Sequence, residues 1–428
     1  MSDTTITDVR ARRVWDSRGR PTVETDVTLA GGARGRAIAP AGASTGSGEA
    51  LDRRDGGNAF GGYDVRQAVA AVNESIADAL TGMDAEDQAK IDRRLIELDG
   101  TPNKRRLGGN ATISASMAVA HAAAAASGRP LWRYLGGLSA ATLPLPEIQI
   151  FGGGAHAAGR VDIQDFMVMA VGADDFAQAL DWTAEVYRAA GLLMAEAGLL
   201  QGVADEGGFW PAFDSNEQAL DMLLRAIERA GYRAGEQVAI SIDVAASELG
   251  KGGRYRLGLE GRQLDSGDFS DMLLRWLDRY PIVSIEDPLA EDDEAGLIAF
   301  TAAAGGRVQI IGDDYLVTNA ERVRHAAEAG ACNAVLVKPN QAGTLSETRA
   351  AFDAAQDVGW GAVISARSGE TEDVTIVHLA VGWGAYQLKV GSFARSERMA
   401  KWNEGLRIAE ALGDRAALPP RQVFPWNR

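Results

Sequence analysis

The chain has 428 residues, and 59 Asp plus Glu against 43 Lys plus Arg give it a formal net charge of −16. This acidic balance argues against nucleic acid or an anionic membrane surface as a partner. The composition, 46% hydrophobic and 24% charged, is typical of a globular protein and excludes the disordered and fibrous classes. The single cysteine, Cys332, excludes an internal disulfide framework, and the four histidines have no spacing typical of zinc ligands. Any metal is therefore expected to have oxygen ligands.

The amino-terminal residues are polar and do not form the apolar segment of a signal peptide. The longest run of small apolar side chains, residues 117–126, is too short to span a bilayer. These observations favour a cytoplasmic protein without a membrane partner.

The first third of the chain has the pattern of an α+β domain. Residues 6–39 alternate between apolar and polar side chains and are interrupted at Gly19-Arg20-Pro21 and Gly31-Gly32, which predicts a three-stranded antiparallel meander. Stretches with helical periodicity follow at residues 64–80, 84–98 and 112–127.

The most linker-like part of the chain lies near residue 140, where Gly136-Gly137-Leu138-Ser139 is followed by Leu143-Pro144-Leu145-Pro146. Two prolines two residues apart resist both a helix and a central strand. We therefore predict an α+β capping domain over residues 1–138 and a barrel domain with a C-terminal helix over residues 139–428.

The second part repeats one pattern, in which a short apolar run ends at a polar residue and a helical stretch follows. The polar residues that end these runs are Asp243, Glu286, Asp313, Lys338, Ser365 and Lys389. Their spacings are 43, 27, 25, 27 and 24 residues, and about 25 residues accommodate one strand plus one helix. This predicts an α/β fold built on a parallel (β/α) barrel, whose active site lies at the carboxyl ends of the strands. An open doubly wound sheet would also alternate strands and helices, but it would concentrate its ligand groups at one switch point.

The polar residues at the strand ends predict a metal site. Three carboxylates, Asp243, Glu286 and Asp313, would repel one another at a barrel mouth unless a cation lay between them, and oxygen ligands suit Mg²⁺. Lys338 and Lys389 would face the same cation, whose charge lowers a lysine pKa and lets the amine act as a base. The combination favours removal of a proton next to a carboxylate, with the enediolate product stabilised by the metal. The alternative is a set of unrelated surface charges on βα loops.

The chain resembles the enolase family almost from end to end. The most specific matching motifs are Ala43-Ser44-Thr45-Gly46, Asp205-Glu206-Gly207-Gly208, Asp243-Val244-Ala245-Ala246-Ser247-Glu248, Ser284-Ile285-Glu286-Asp287-Pro288, Gly312-Asp313-Asp314, Arg367-Ser368-Gly369-Glu370 and Ala394-Arg395-Ser396-Glu397-Arg398. The resemblance implies an enolase-like barrel preceded by a smaller α+β domain. It also implies a Mg²⁺-dependent hydro-lyase that acts on a small anionic phosphoryl-carboxylate substrate, and a homodimer built through the smaller domain.

The same resemblance implies the roles of the metal ligands and the base. Asp243, Glu286 and Asp313 would bind the first Mg²⁺, and Ser44 would help to hold a second Mg²⁺ that arrives with the substrate. Lys338 would be the base that removes the proton at C2 of the substrate.

The remaining roles concern the substrate and its leaving group, and they too are implied by the resemblance. Glu206 would be the acid that protonates the departing 3-hydroxyl group, with Asp165 close to that group. Lys389 would contact the substrate carboxylate, and His156 would approach the substrate from a mobile glycine-rich loop. The further expected substrate contacts are Gln164, Ala43, Arg367 and Ser368, the last two at the phosphoryl group.

Several residues inside the site depart from the enolase pattern. Asp165 replaces a Glu, which withdraws a carboxylate from the leaving hydroxyl by about 1 Å. Ala366 replaces a His beside the phosphoryl pocket and so opens space there. The other departures are Arg20, Ala41, Gly152 and Phe393.

These departures favour a paralogue that keeps the metal ligands and the base but takes a substrate with an altered phosphoryl end. Among enolase-like paralogues, the chemistry of carboxyphosphonoenolpyruvate synthase, from phosphinate and phosphonate natural-product pathways, fits this pattern. The alternative is a housekeeping enolase that converts 2-phosphoglycerate to phosphoenolpyruvate. A third interpretation is an inactive enolase-fold binding protein, against which the intact carboxylates and lysines argue.

Overall fold

The alternating residues at the amino terminus form an antiparallel sheet in the computed structural model, which describes residues 2–427. Its strands are β1 (Ile6–Trp15), β2 (Pro21–Leu29) and β3 (Arg34–Ile38). Gly19 and Gly32 lie in the two turns with φ of 68° and 85°, a left-handed conformation that glycine adopts without a steric penalty. The predicted three-stranded meander is confirmed.

Helices pack against this sheet and complete the first part of the chain. They are α1 (Arg66–Ala71), α2 (Ala77–Leu80), α3 (Gln88–Asp99), α4 (Gly109–Ala126) and α5 (Leu131–Gly136), with a π-helical segment at Val72–Ile76 between α1 and α2. The small side chains of α4 let it approach β3 closely, because a Cβ atom at Gly35 would lie 2.1 Å from the carbonyl oxygen of Ala118. The predicted α+β architecture is confirmed.

The strands of the second part form a barrel and a small separate sheet. They are β4 (Leu145–Gly152), β5 (Asp165–Met169), β6 (Ala239–Asp243), β7 (Gly250–Lys251), β8 (Arg254–Leu257), β9 (Arg262–Asp265), β10 (Ile282–Glu286), β11 (Gln309–Gly312), β12 (Ala334–Val337), β13 (Gly361–Ser365) and β14 (Gln387–Ser392). Within residues 2–427 an eight-stranded barrel closes in the order β4, β5, β6, β10, β11, β12, β13, β14, and β7, β8 and β9 form the small sheet. The predicted barrel is confirmed.

One strand of the barrel departs from the parallel arrangement that the repeat predicts. β5 runs antiparallel to both β4 and β6. The connection between β4 and β5 contains a short 3₁₀ turn, Gly154–Ala157, in place of the helix that returns a chain to start a parallel strand. The expectation of a fully parallel barrel is therefore wrong at β5.

The helices of the second part surround the barrel. They are α6 (Phe176–Glu196), α7 (Asn216–Arg229), α8 (Ala246–Leu249), α9 (Ser266–Arg279), α10 (Glu294–Ala304), α11 (Ala320–Ala329), α12 (Pro339–Ala342), α13 (Leu345–Asp357), α14 (Thr375–Trp383) and α15 (Ser396–Leu412). Asp175, Ser215 and Thr344 begin α6, α7 and α13 by accepting a hydrogen bond from a backbone N–H of the first turn. Leu345 and Leu379 join the hydrophobic core under the amino-terminal sheet, so the two parts are in direct contact. Across residues 2–427, no helix combines the length and apolar character that crossing a membrane requires. The division at residues 138 and 139 stays a prediction.

Candidate active site

The polar residues that end the barrel strands are buried at one mouth of the barrel. Asp243 of β6 is paired in register with Glu286 of β10. Asp313 and Lys338 directly follow β11 and β12, and Lys389 lies in β14. These strands are parallel, so their carboxyl ends face the same side of the barrel.

Two lysines neutralise the carboxylates at this mouth. The Nζ atom of Lys389 donates to Asp243 Oδ2 at 2.9 Å and to Glu286 Oε2 at 2.8 Å, and Lys338 Nζ donates to Asp313 Oδ2. Burial lowers the pKa of both lysines, but the carboxylates outweigh it, so the pKa of Lys338 lies above its usual value and that of Lys389 well above. Both side chains are ammonium groups in this arrangement.

The carboxylates themselves differ in how strongly they are stabilised. Burial and the charge of Asp243 raise the pKa of Glu286 well above its usual value. Burial also raises the pKa of Asp313, but the Lys338 ammonium outweighs burial and holds the pKa below its usual value. Within the described part of the chain, the Oε1 atom of Glu286 is buried without a hydrogen-bond partner. Such an oxygen fits a cation ligand, because an unpaired buried charge is costly.

The donor chemistry of the mouth suits Mg²⁺. Asp243, Glu286 and Asp313 offer oxygen atoms alone, and hard cations such as Mg²⁺ prefer oxygen. Asp243 Oδ1 accepts from the backbone N–H of Ala245 at 3.0 Å, and Asp243 Oδ2 accepts from Gln164 Nε2 at 3.0 Å, so this carboxylate is held in one orientation. The residues present therefore fit the expected ion.

Asp287 orients the third carboxylate and was not expected from the sequence. Its two carboxylate oxygens accept the backbone N–H groups of Asp313 and Asp314, both at 2.8 Å. Asp287, Asp313 and Asp314 also form one of the tight acidic clusters within residues 2–427 that could hold a metal ion. Asp287 has a φ of 40°, a strained value for a residue other than glycine, and such strain is common at functional sites.

The other side of the site contains a histidine between two carboxylates. His156 Nδ1 lies 2.8 Å from Asp165 Oδ1, and His156 Nε2 lies 3.7 Å from Glu206 Oε1. Burial lowers the pKa of His156, but the two carboxylates outweigh it and raise the pKa to about 9. Burial raises the pKa of Asp165, while His156 holds it well below its usual range. Asp165 thus contacts His156 even though its side chain is one methylene shorter than the Glu of the family.

Strand β4 contributes two buried polar side chains that the sequence interpretation missed. Gln149 Nε2 donates to Asp165 Oδ1, and Gln149 Oε1 accepts from the backbone N–H of Gly208 at 2.9 Å. Ser241 Oγ donates to Glu147 Oε1, and burial raises the pKa of Glu147. Glu147 and Gln149 are two residues apart in an otherwise apolar strand, which places both on the inner face of the barrel. That alternation was the available signal.

Arg367 connects the barrel to the loop that carries Ala43 and Ser44. Its Nη1 atom donates to Glu49 Oε2 and to Asn340 Oδ1, both at 3.0 Å, and its Nη2 atom donates to the carbonyl oxygen of Ser44 at 2.9 Å. Burial lowers the pKa of Arg367, but the Glu49 carboxylate outweighs it and raises the pKa above its usual value. The contacts of Arg367 with Glu49 and Asn340 were not expected from the sequence.

One cavity joins both sides of the site. It is lined by Ala43, Ser44, His156, Gln164, Glu206, Asp243, Lys338, Ser365, Ala366, Arg367, Ser368, Lys389 and Val390. The remaining expected site residues contact lining residues: Asp165 contacts His156, Glu286 contacts Lys389, and Asp313 contacts Lys338. The structure therefore brings together all the site residues that the sequence singled out.

The departures from the enolase pattern are not equally close to this cavity. Ala366 forms part of its wall. Phe393 packs against the hydrophobic core of the barrel, and the Arg20 guanidinium lies 4.2 Å from the ring centre of Tyr63. Ala366 is thus the departure that changes the shape of the cavity directly.

A closed barrel with carboxylates and lysines at one mouth, preceded by an α+β domain, is the architecture of the enolase superfamily. Residues 140–424 match the family model "Enolase, C-terminal TIM barrel domain", and residues 6–135 match "Enolase, N-terminal domain". The chain belongs to the enolase family. Members of this family typically use Mg²⁺, and acidic clusters that could bind a metal occur in this structure.

Proposed function

We propose that the protein catalyses the Mg²⁺-dependent elimination of water from a 2-phosphoglycerate-type substrate, giving an enolpyruvate product. The observation that supports this most directly is the division of one cavity into two sides. Lys338 and Lys389 lie among carboxylates on one side, and His156 lies next to Glu206 on the other. An elimination of this kind needs a base at C2 and an acid at the 3-hydroxyl group.

In the proposed reaction, Lys338 as a free amine takes the C2 proton, and the electrons of the C–H bond move toward the substrate carboxylate to give an enediolate. Glu206 as a carboxylic acid then donates a proton to the 3-hydroxyl group, the C3–O bond breaks, and water leaves as the C2–C3 double bond forms. Lys389 keeps its positive charge beside the substrate carboxylate. Both proton transfers thus have a defined donor and acceptor.

Asp243, Glu286 and Asp313 would hold the first Mg²⁺ and Ser44 would help to hold the second, which would supply positive charge that stabilises the enediolate. Lys338 accepts a proton only after it has lost its own. The Lys338 contact with Asp313, which favours the ammonium form, therefore has to be released before the proton transfer.

We further propose that the substrate is a carboxyphosphono analogue of 2-phosphoglycerate, as for carboxyphosphonoenolpyruvate synthase. Ala366 supports this, because it leaves space beside Arg367 and Ser368 where the family has an imidazole. An added carboxylate would need positive charge nearby. Arg18 could supply this charge. Its Nη1 atom donates to Ser368 Oγ at 3.2 Å, and its buried Nε atom has no hydrogen-bond partner within residues 2–427.

The second candidate is a housekeeping enolase that acts on 2-phosphoglycerate itself. The contact between Asp165 and His156 favours it, because the leaving-group side keeps a paired carboxylate despite the shorter side chain. The third candidate, an inactive binding protein, would have no need of a base and an acid facing one cavity.

A direct competition between the two substrates at saturating Mg²⁺ tests these candidates, because specificity is a ratio of two kcat/KM values. We expect the unaltered protein to prefer the carboxyphosphono analogue and the Ala366→His variant to shift the ratio toward 2-phosphoglycerate. The housekeeping candidate would be favoured if the protein converts 2-phosphoglycerate with a kcat/KM of about 10⁴–10⁸ M⁻¹s⁻¹ and does not convert the analogue. A protein that binds Mg²⁺ but converts neither compound would favour the binding protein.

We also propose that the protein is a cytoplasmic homodimer built through the smaller domain, with neither nucleic acid nor a membrane as a partner. The net charge of −16 supports the absence of nucleic-acid and membrane partners, because both have negatively charged surfaces. Sedimentation of the purified protein tests the oligomeric state.

A further inference from the structure

The Gln149 amide contacts both the Asp165 carboxylate of β5 and the turn that carries Glu206. Its Nε2 atom donates to Asp165 Oδ1 at the start of β5. Its Oε1 atom accepts from the backbone N–H of Gly208, two residues after Glu206. The side chain is fully buried, so water does not compete for these hydrogen bonds.

The amide is also confined sterically in this orientation. A Cβ atom at Gly208 would lie 2.5 Å from Gln149 Oε1, and a Cβ atom at Gly152 would lie 3.3 Å from both polar atoms of the amide. Glycine at these two positions leaves room for the amide, and the amide fills that room. Because one end donates and the other accepts, a reversed amide would lose both contacts.

The turn that carries Glu206 has anchors of its own. Phe209 N donates to the carbonyl oxygen of Ile150 at 2.8 Å, Ser392 N donates to that of Glu206 at 2.9 Å, and Tyr187 Oη donates to that of Gly207 at 2.9 Å. These hydrogen bonds hold the turn without Gln149. What Gln149 adds is the link from the turn to the Asp165 carboxylate, whose same oxygen faces His156.

We infer that Gln149 is a positioning residue for the acid side of the reaction, because its amide sets the distance between Asp165 and the turn that carries Glu206. The amide of the longer Gln149 side chain contacts the carboxylate of the shorter Asp165 side chain directly. The reach of Gln149 thereby compensates for the methylene that Asp165 lacks relative to the Glu of the family. This inference rests on the proposed elimination, in which Glu206 protonates the leaving hydroxyl group and Asp165 lies close to that group.

The test uses the full-length protein with Mg²⁺ and whichever of the two proposed substrates the unaltered protein converts. Gln149→Asn withdraws the amide by about 1 Å, and a misplacement of that size costs about 10²-fold in elimination kcat. Exchange of the C2 proton with deuterated water should stay within about threefold, because Lys338 and its contacts lie on the other side of the cavity and the two proton transfers are separate steps. A purely structural role of Gln149 would lower both rates together.

A second variant tests whether the methylene lost from Gln149 can be replaced by one added to Asp165. Asp165→Glu alone should also lower elimination, because the longer carboxylate meets the amide in a packed site. The double variant Gln149→Asn, Asp165→Glu restores the combined length and should regain at least about tenfold of the elimination rate lost in Gln149→Asn, a coupling that independent sites do not have. Gln309→Asn removes the same methylene from another buried barrel glutamine, which bonds to Gln387, and should leave both rates within about threefold.

Three outcomes would overturn the inference: exchange and elimination that fall together in Gln149→Asn, additive losses in the double variant, or no loss in Gln149→Asn. Failure of the proposed function has a different signature. In that case the unaltered protein itself would neither exchange the C2 proton nor eliminate water from either substrate.

Discussion

At the scale of single residues, the proposed reaction assigns removal of the C2 proton to Lys338 and protonation of the leaving hydroxyl group to Glu206. Lys338→Ala should lose exchange of the substrate C2 proton with deuterated water by at least about 10²-fold, because general base catalysis contributes on that order. Glu206→Gln should lose elimination to a similar extent and keep the exchange, since proton removal precedes departure of the hydroxyl group. Proton NMR of the substrate in deuterated water measures both. Exchange that persists in Lys338→Ala would assign the base to another group, with Lys389 the nearest candidate.

Glu286 offers a second test at this scale, because its Oε1 atom is buried without a partner among the described residues. Glu286→Gln removes one of the three proposed anionic ligands of Mg²⁺, so we expect the Mg²⁺ dissociation constant to rise by at least about tenfold. Isothermal titration calorimetry with Mg²⁺ measures the change. Glu185→Gln is a matched control, because the exposed Glu185 pairs with Arg188 of the same helix and should leave the affinity unchanged. Equal affinities in all three proteins would remove Glu286 from the set of ligands.

The candidate site was predictable residue by residue only where a polar side chain ends an apolar strand or belongs to a family motif. Asp243 and Lys338 meet the first criterion, and Glu206 meets the second. Glu49 meets neither, since it reaches Arg367 from a loop 318 residues away along the chain, and no local pattern carries such a contact. Gln149 was missed for another reason, because an inward polar residue interrupts the apolar run that identifies a barrel strand, and only its alternation with Glu147 marks its position.

At the scale of elements, the same reasoning explains which barrel strands the sequence predicts. The runs that end at Asp243, Glu286, Asp313, Lys338, Ser365 and Lys389 are apolar and precede helices, and all are strands of the barrel. β4 carries Glu147 and Gln149 on its inner face, and β5 follows a loop without helical periodicity, so neither fits the repeat. The small sheet of β7, β8 and β9 consists of strands of two to four residues, too short to have a readable period.

The packing of α4 on the amino-terminal sheet makes a prediction about an element contact. Gly35→Ala would place a Cβ atom 2.1 Å from the carbonyl oxygen of Ala118 and 2.2 Å from the backbone nitrogen of Ala122. The helix backbone cannot give way as a side chain can, so we expect the free energy of unfolding to fall by about 3 kcal/mol. Gly306→Ala is the control, since nothing lies within 4 Å of a Cβ atom there. Urea unfolding of both variants measures the difference, and equal midpoints would contradict the packing.

At the scale of the whole molecule, the candidate active site is assembled from both parts of the chain. Ser44 and Glu49 come from the first part, and Arg367, which holds them, comes from the barrel. Lys104 reinforces the junction through a 2.8 Å ion pair with Glu347 of α13. Loss of the contact between the two parts should therefore disturb the loop that carries Ser44 before it disturbs the carboxylates of the barrel.

A pair of histidines lies at this same junction. His121 of α4 and His378 of α14 have ring centres 6.1 Å apart. His121 Nε2 lies 2.9 Å from Thr375 Oγ1, and His378 Nε2 lies 3.5 Å from Glu404 Oε1. Burial lowers the pKa of His121, and burial together with His121 lowers the pKa of His378 to about 4, against the opposing charge of Glu404 and Asp373. The junction therefore favours neutral histidines.

This preference predicts how the stability of the molecule depends on pH. In the unfolded chain His378 takes up a proton near pH 6.5, whereas in the folded protein it resists protonation until about pH 4. The unfolded state binds more protons in that interval, so the free energy of unfolding should decrease as the pH falls from about 6.5 to about 4, by up to about 3 kcal/mol. His378→Gln should remove much of this slope between pH 7.5 and pH 5, where few carboxylates titrate, as measured by urea unfolding. His325→Gln is the control, because it removes a different histidine, whose side chain is 64% exposed. If His378→Gln and the unaltered protein lose stability in parallel over this range, the acid sensitivity does not arise at the junction.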